Sequence, residues 1–183
     1  MRRCACEQTV IHLAVNSSPL DRARDLGARE DGLAVVVTSR ADGSAQVSVV
    51  NAGVLGHPLT GEAVVGFVAR GGTRKLVNLR VRARATVVFR SGWDWVAVEG
   101  DADLVGPDDP LAGLDPADQP RLLRGVYAAA VGGTHDDWAA LDGVMAAERH
   151  TAVLIRPARI YSNPGGQDSM SSDRLRRSRS RRS

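Results

Sequence analysis

Residues 33–39 (LAVVVTS) are an almost unbroken β-branched run, the pattern of a buried strand. Arg40-Ala41-Asp42-Gly43 follows. Its Asp-Gly pair signals a hairpin, because tight hairpin turns need positive φ at their centre. The chain returns over residues 45–52 (AQVSVVNA), where Val47 and Val49 alternate with Gln46, Ser48 and Val50. A polar loop at 58–62 leads to a third apolar run, 63–69 (AVVGFVA). The period then changes: Leu76, Val77 and Leu79 fall at helical spacing, which predicts a helix over 73–82. Residues 85–90 (ATVVFR) and 93–105 (WDWVAVEGDADLV) read as the fourth and fifth strands, with Gly100 marking a bend or bulge. After a loop at 107–110, helices are predicted over 116–131 and 138–149, the first opened by Asp115-Pro116 as N-cap and first-turn proline. Residues 151–160 (TAVLIRPARI) make a last strand, with Pro157 near its end. Upstream, 21–31 (DRARDLGARED) is a short polar helix weakened by Gly27.

Five or six closely spaced strands joined by hairpin signals predict an antiparallel barrel, mainly β with flanking helices. Strands do not alternate with helices, so a Rossmann arrangement is disfavoured. The domain is placed at 20–164. Residues 1–19 lack periodicity and are expected to be a disordered arm; 165–183 are Ser- and Arg-rich and cannot bury enough surface to fold.

Composition is globular, with 43% hydrophobic and 25% charged residues, but aromatics make up only 4%, so Val, Leu and Ala must fill the core. The formal charge of +3 is misleading. Six Arg and two Asp between Pro164 and Ser183 give +4 there, leaving −1 on the other 163 residues. The tail could touch nucleic acid through phosphates, but it lacks interleaved aromatics, so nucleic acid is not the expected partner. No apolar run is long enough to span a membrane, and the N-terminal run is interrupted by His12, so a cytoplasmic location is expected. Cys4 and Cys6 are the two cysteines, too few for a four-thiolate zinc site, and no metal is expected.

The chemistry concentrates in the turn after the third strand, Arg70-Gly71-Gly72-Thr73-Arg74-Lys75. Glycines let backbone N–H groups approach an anion, the Thr73 hydroxyl donates, and the cations neutralise. The chain has 23 Arg and a single Lys, and that Lys is Lys75, a compact point charge rather than a planar fork. The turn lacks the GxxxxGK[ST] order of a P-loop, and a solvated helix start carries the same residues.

The order of elements, carried by LAVVVTSRADGSAQVSVVNAG, VVGFVARGGTRKLVNLR, RATVVFRSGWDWVAVEGDADL and ERHTAVLIRPARIY, resembles the split-barrel pyridoxamine 5′-phosphate oxidase-like superfamily. Within it the chain is most similar to actinobacterial oxidoreductases that use the deazaflavin coenzyme F420. The resemblance covers residues 25–164. It implies a homodimer with two cofactor sites at the subunit interface. Thr73, Arg74 and Lys75 would hold the cofactor phosphate, with Arg70 and Asn78 as neighbouring donors. Ser48, Val50, Asn51 and Ala52 would lie along the ring system, Trp93 or Trp95 of the other subunit would wall the pocket, and Arg149 would reach the cofactor or an anionic substrate. Flavin mononucleotide (FMN) oxidases of this superfamily carry Arg and Lys at the two ends of the second strand. Gln46 and Asn51 stand there instead, which favours F420 over FMN. The family's frequent Pro after the Asn-Leu-Arg helix is also missing; the chain continues Val81-Arg82-Ala83-Arg84.

An obligate two-electron cofactor carries the hydride chemistry itself, so the protein need only bind, orient and exclude water. No Ser-His-Asp order, GxSxG or HExxH is present, and no carboxylates pair at a convincing spacing. His57, His135 and His150 are scattered, and His135, beside Asp136 and Asp137, is the acid–base candidate. The expected function is therefore an F420-dependent oxidoreductase acting on a small organic molecule. The alternatives are an FMN-dependent oxidoreductase or flavin reductase, and a non-catalytic flavin- or deazaflavin-binding protein.

Overall fold

The computed structural model describes residues 19–133 and 135–163. Residues 1–18 of the expected arm, Cys4 and Cys6 among them, and the Arg-rich tail lie outside the described residues, whereas Pro19, the last residue given to the arm, opens a helix.

Six antiparallel strands close into a barrel: β1 (Leu33–Ser39), β2 (Ala45–Gly56), β3 (Ala63–Ala69), β4 (Arg84–Ser91), β5 (Asp94–Val105) and β6 (Thr151–Ser162). Around the barrel they run β1-β2-β3-β6-β5-β4, so the last strand in sequence is inserted between the third and the fifth. Among the described residues four α-helices decorate it: α1 (Pro19–Arg29), α2 (Arg74–Val81), α3 (Gln119–Val131) and α4 (Trp138–Ala147). This is the expected split barrel, mainly β with α. The 116–131 segment is divided, a 3₁₀ turn at Pro116–Asp118 preceding α3, and Asp115 caps it by accepting from the Ala117 N–H at 2.9 Å.

The barrel interior is filled by Val36, Val65, Phe67, Val87, Phe89, Val98, Val153 and Ile155, all fully buried. α1 lays Leu20, Ala23 and Leu26 against one end of this core, and α2 contributes Leu76 and Leu79. α3 packs on β2 and β3 at backbone contact. A Cβ on Gly53 would stand 2.0 Å from the Ala129 carbonyl oxygen, so only glycine admits the helix this close. A second cluster, with Val64, Leu123, Val126, Met145 and Leu154, joins α3 and α4 to the outside of β3 and β6.

Two strands outrun expectation. β2 continues to Gly56 and β6 runs past Pro157 to Ser162, because the β5–β6 ladder absorbs the proline at a bulge between Glu99 and Gly100. The alternation in β2 holds, but its polarity is notable: Val47 and Val49 point outward, while Gln46, Ser48 and Val50 face the less exposed side. Register places Val49 opposite Val35 and Val47 opposite Val37 on one outer face.

Candidate functional site

The barrel is split beside the turn. Residues 45–51 of β2 pair with β1, but β3 joins β2 only from Ala52 onward. Among the described residues the other edge of β2 above Ala52 thus has no partner strand, and its main-chain polar groups open toward the end of β3. The Arg70–Thr73 turn begins there. Gly72 takes φ of 72°, the left-handed conformation that makes glycine the residue of choice. Gly71 donates its N–H to the Glu148 carbonyl at 3.0 Å, which docks the turn on the junction between α4 and β6.

Thr73 is the cap residue of α2. Leu76 and Val77 donate their N–H groups to its carbonyl at 3.0 and 3.2 Å, but its side chain caps nothing. Its Oγ1 is buried and has no hydrogen-bond partner. A cap threonine ordinarily accepts an N–H from the first turn, and an unpaired buried hydroxyl costs free energy. Lys75 is partly buried, and desolvation pushes its ammonium below the usual lysine value, with no carboxylate offsetting it.

These groups border a cleft of about 410 Å³. Val49, Val50 and Asn51 of β2 form one wall, and Arg70, Thr73 and Lys75 form one end. The opposite wall is helical and apolar: Tyr127 and Ala130 of α3, then Leu141, Val144 and Met145 of α4. Glu148 and His150 sit at the joint between α4 and β6. Arg70 lies 3.7 Å from Glu148, a long contact between two partly exposed groups. A cationic, hydroxylated end joined to an apolar slot suits a molecule with an anionic group on a flat, largely apolar body.

Of the residues singled out in the sequence, Val50, Asn51, Arg70, Thr73 and Lys75 meet in this cleft. The others are placed elsewhere. Ser48 shares the inner side of β2, its hydroxyl buried and also unpartnered. Ala52 is buried where β2 begins to pair with β3. Arg74 turns into an adjoining groove with Arg40 and Asn78. The Asn78 amide donates to Thr38 Oγ1 at 3.0 Å, buried between α2 and β1. Arg149 is held by Asp108, and their hydrogen bonds keep that carboxyl below the usual carboxylate range. Trp95 packs edge-on against Tyr161 on β5 and β6, 6.1 Å between centroids, and Trp93 is 94% exposed. His135 stacks with Tyr127 and Trp138, and its Nδ1 accepts the Asp137 N–H at 3.1 Å.

The α4 part of the helical wall, Leu141, Val144 and Met145, was not foreseen. WAALDGVMAA is apolar on more than one face, yet Met145 is the one buried residue of α4. No described helix is long and apolar enough to cross a membrane.

No protein-family profile and no curated protein matches the chain. Solved structures do. A candidate 5-nitroimidazole antibiotic resistance protein from Bacteroides thetaiotaomicron superposes with a TM-score of 0.57 at 9% identity, over 81% of this chain and 84% of the other. The conserved hypothetical protein Rv2991 from Mycobacterium tuberculosis gives 0.56 at 19% identity, over 78% and 80%. A heme binding protein from Mycobacterium smegmatis gives 0.55 at 19% identity, over 84% of this chain and 57% of its own length. Weaker likenesses, at TM-scores of 0.49 and 0.47, reach a candidate pyridoxamine 5′-phosphate oxidase from Listeria innocua and an F420 reductase. At such identities the likeness concerns the fold.

Proposed function

We propose that this chain, whose fold is the split barrel of pyridoxamine 5′-phosphate oxidase-like proteins, binds a flavin-type cofactor in the cleft and serves as an F420-dependent oxidoreductase. The observation that carries this is the pairing of an orphaned buried hydroxyl, Thr73 Oγ1, with a partly buried ammonium, Lys75, at one end of an apolar slot. Both deficits are met at once by a phosphate oxygen. Arg70 would add a third donor, and Arg74 a more distant charge from the neighbouring groove. The open edge of β2 at Val49 to Asn51 offers main-chain hydrogen bonds to the polar edge of a ring. Tyr127, Leu141, Val144 and Met145 supply an apolar face and exclude water. A bound deazaflavin would supply the two-electron chemistry, passing a hydride to or from a small organic substrate.

F420 is preferred to FMN because neither end of β2 supplies its own cation to the site. Gln46 accepts from Arg40 at 2.7 Å, and the Asn51 amide is spent on the Asp31 carbonyl at 2.8 Å. A homodimer is supported by the outer face of the barrel. Val47 and Val49 are 56% and 63% exposed, beside Leu33, Val35 and Val37 in the same sheet. A contiguous aliphatic patch of this kind is costly to leave in water. Because Val49 also borders the cleft, a second copy seated there would lie next to the cofactor, and Trp95 of that copy is the proposed additional wall.

The test is a fluorescence-quenching titration of the full chain with F420 and, separately, FMN. Lys75→Ala is expected to weaken F420 binding at least about tenfold, the loss of one charge-assisted contact. Equal affinity in the variant would remove the phosphate from this turn.

A further inference from the structure

The chain leaves α4 through Glu148, Arg149 and His150. Arg149 donates its N–H to the Ala146 carbonyl at 3.1 Å, and His150 donates to Met145 at 2.8 Å. These two bonds define a Schellman ending, whose turn residue is left-handed and usually glycine. Here it is Arg149, at φ 52°. A non-glycine residue in that conformation is strained, and such strain gathers where a geometry is put to use.

The consequence is the position of His150. Folded back over the last turn of α4, its ring is mostly buried, and Nδ1 lies 3.3 Å from the Met145 carbonyl oxygen. A carbonyl only accepts, so Nδ1 carries the hydrogen and Nε2 is the atom left to gain or lose a proton. Nε2 stands 3.7 Å from Glu148 Oε2. The other two described histidines are wired in the opposite sense: Nδ1 of His57 accepts the Leu59 N–H at 3.3 Å, and Nδ1 of His135 accepts that of Asp137. His150 borders the cleft, whereas His135 does not. His150 and Met145 also border a second hollow of about 310 Å³, on the side of Pro107 and Leu123.

We propose that His150, aimed by this helix ending and paired with Glu148, is the group that exchanges a proton with the molecule bound in the cleft. The inference rests on the cofactor reading of that cleft. The step changes no oxidation state: the N–H electron pair stays on the ring and the acceptor's own pair forms the new bond. The Nε2–H bond breaks as a bond from that hydrogen to an electron-rich oxygen, nitrogen or carbon of the bound molecule forms, and the imidazolium becomes neutral. Water in the second hollow returns the proton, and the reverse step runs by the same path. Glu148 steadies the charged ring. Lys75 and Arg70 from the turn oppose its charge, Tyr127 of α3 faces it across the cleft, and Asp142 of α4, already held by Arg124, lies on the side of the second hollow.

The experiment uses the uniformly ¹⁵N-labelled full chain and His150→Gln. Long-range ¹H–¹⁵N spectra are expected to show the Nδ1–H tautomer at His150 and the Nε2–H tautomer at His57 and His135. Adding F420 or FMN is expected to shift the His150 ring signals. As the buffer is made more alkaline, wild-type affinity for either anion should fall about fivefold more than that of His150→Gln. An Nε2–H tautomer at His150, ring signals unmoved by either cofactor, or identical pH dependence in the two proteins would each overturn the inference. If His150→Gln and wild type bind equally at every pH, only the proton-exchange role falls. If the wild type binds neither cofactor, the cofactor reading falls as well.

Discussion

Gly71→Ala should uncouple the turn from the helix joint, and its cost follows from three distances. A Cβ at Gly71 would lie 2.8 Å from the Arg149 carbonyl oxygen, 2.9 Å from Arg149 Cβ and 3.0 Å from the Glu148 carbonyl oxygen. Two of the three are backbone atoms, so no rotamer change relieves the overlap. The turn must retreat, stretching the 3.0 Å bond from Gly71 N–H to Glu148. Overpacking of this kind costs about 1–3 kcal/mol and the weakened hydrogen bond about 1 more. For a chain of this size each kcal/mol moves the melting temperature by about 2–4 °C, so a total of about 2–4 kcal/mol lowers it by about 4–16 °C. Two neighbouring substitutions calibrate it. Gly72→Ala meets nothing within 4 Å but retains φ of 72°, so it pays only the left-handed penalty of about 1–2 kcal/mol. Gly125→Ala lies inside α3, meets nothing within 4 Å and should stabilise by about 0.5–1 kcal/mol. Differential scanning calorimetry of the three variants reads the order directly. A Gly71→Ala protein as stable as Gly72→Ala would refute the docking of the turn on Glu148 and Arg149.

Thr73→Val replaces an unpartnered hydroxyl by a methyl of similar shape, so its stability should stay within about 1 kcal/mol of wild type while F420 affinity drops about tenfold; equal affinity in a titration would acquit the hydroxyl. Lys75→Met should stabilise the protein without cofactor at neutral pH. Because burial sets the folded value of Lys75 below its unfolded 10.5, the charged form costs stability at every pH below the folded value, and that cost is withdrawn as pH rises to 10.5. The advantage of the Met variant in urea unfolding should therefore shrink as the buffer is made alkaline, and a constant difference would contradict the desolvation account. Light scattering is expected to give a dimer mass for the wild type and a folded-monomer mass for Val47→Asp with Val49→Asp; equal masses would remove this face as the proposed interface.

Much of the barrel was legible because local pattern and tertiary demand agree. β1 and β3 are short, β-branched and bounded by turn chemistry, and their ends fall where the sequence puts them. Gly100 announced the bulge that lets β6 carry Pro157. The turn was legible for the same reason, since glycine, hydroxyl and cation are adjacent in the chain. What the pattern could not carry is direction and distant company. Alternation in β2 says that Val47 and Val49 share a face, not which face is wet. Asn78 looked like a ligand donor until the chain brought Thr38, forty residues away, within 3.0 Å. Arg149 stands next to Glu148 in sequence but bonds Asp108. The helical wall and His150 enter the cleft only through the packing of α3 and α4 on β2, β3 and β6, a juxtaposition with no local signature.

Competitive binding decides whether the cleft binds a deazaflavin through the Thr73–Lys75 turn. Wild type and Lys75→Ala would be titrated with F420 in the presence and absence of FMN, with cofactor fluorescence as the readout. The expected result is saturable F420 binding that FMN displaces poorly and that Lys75→Ala weakens about tenfold or more. Preferential FMN binding would contradict the choice of cofactor, and F420 binding indifferent to Lys75 would contradict the site.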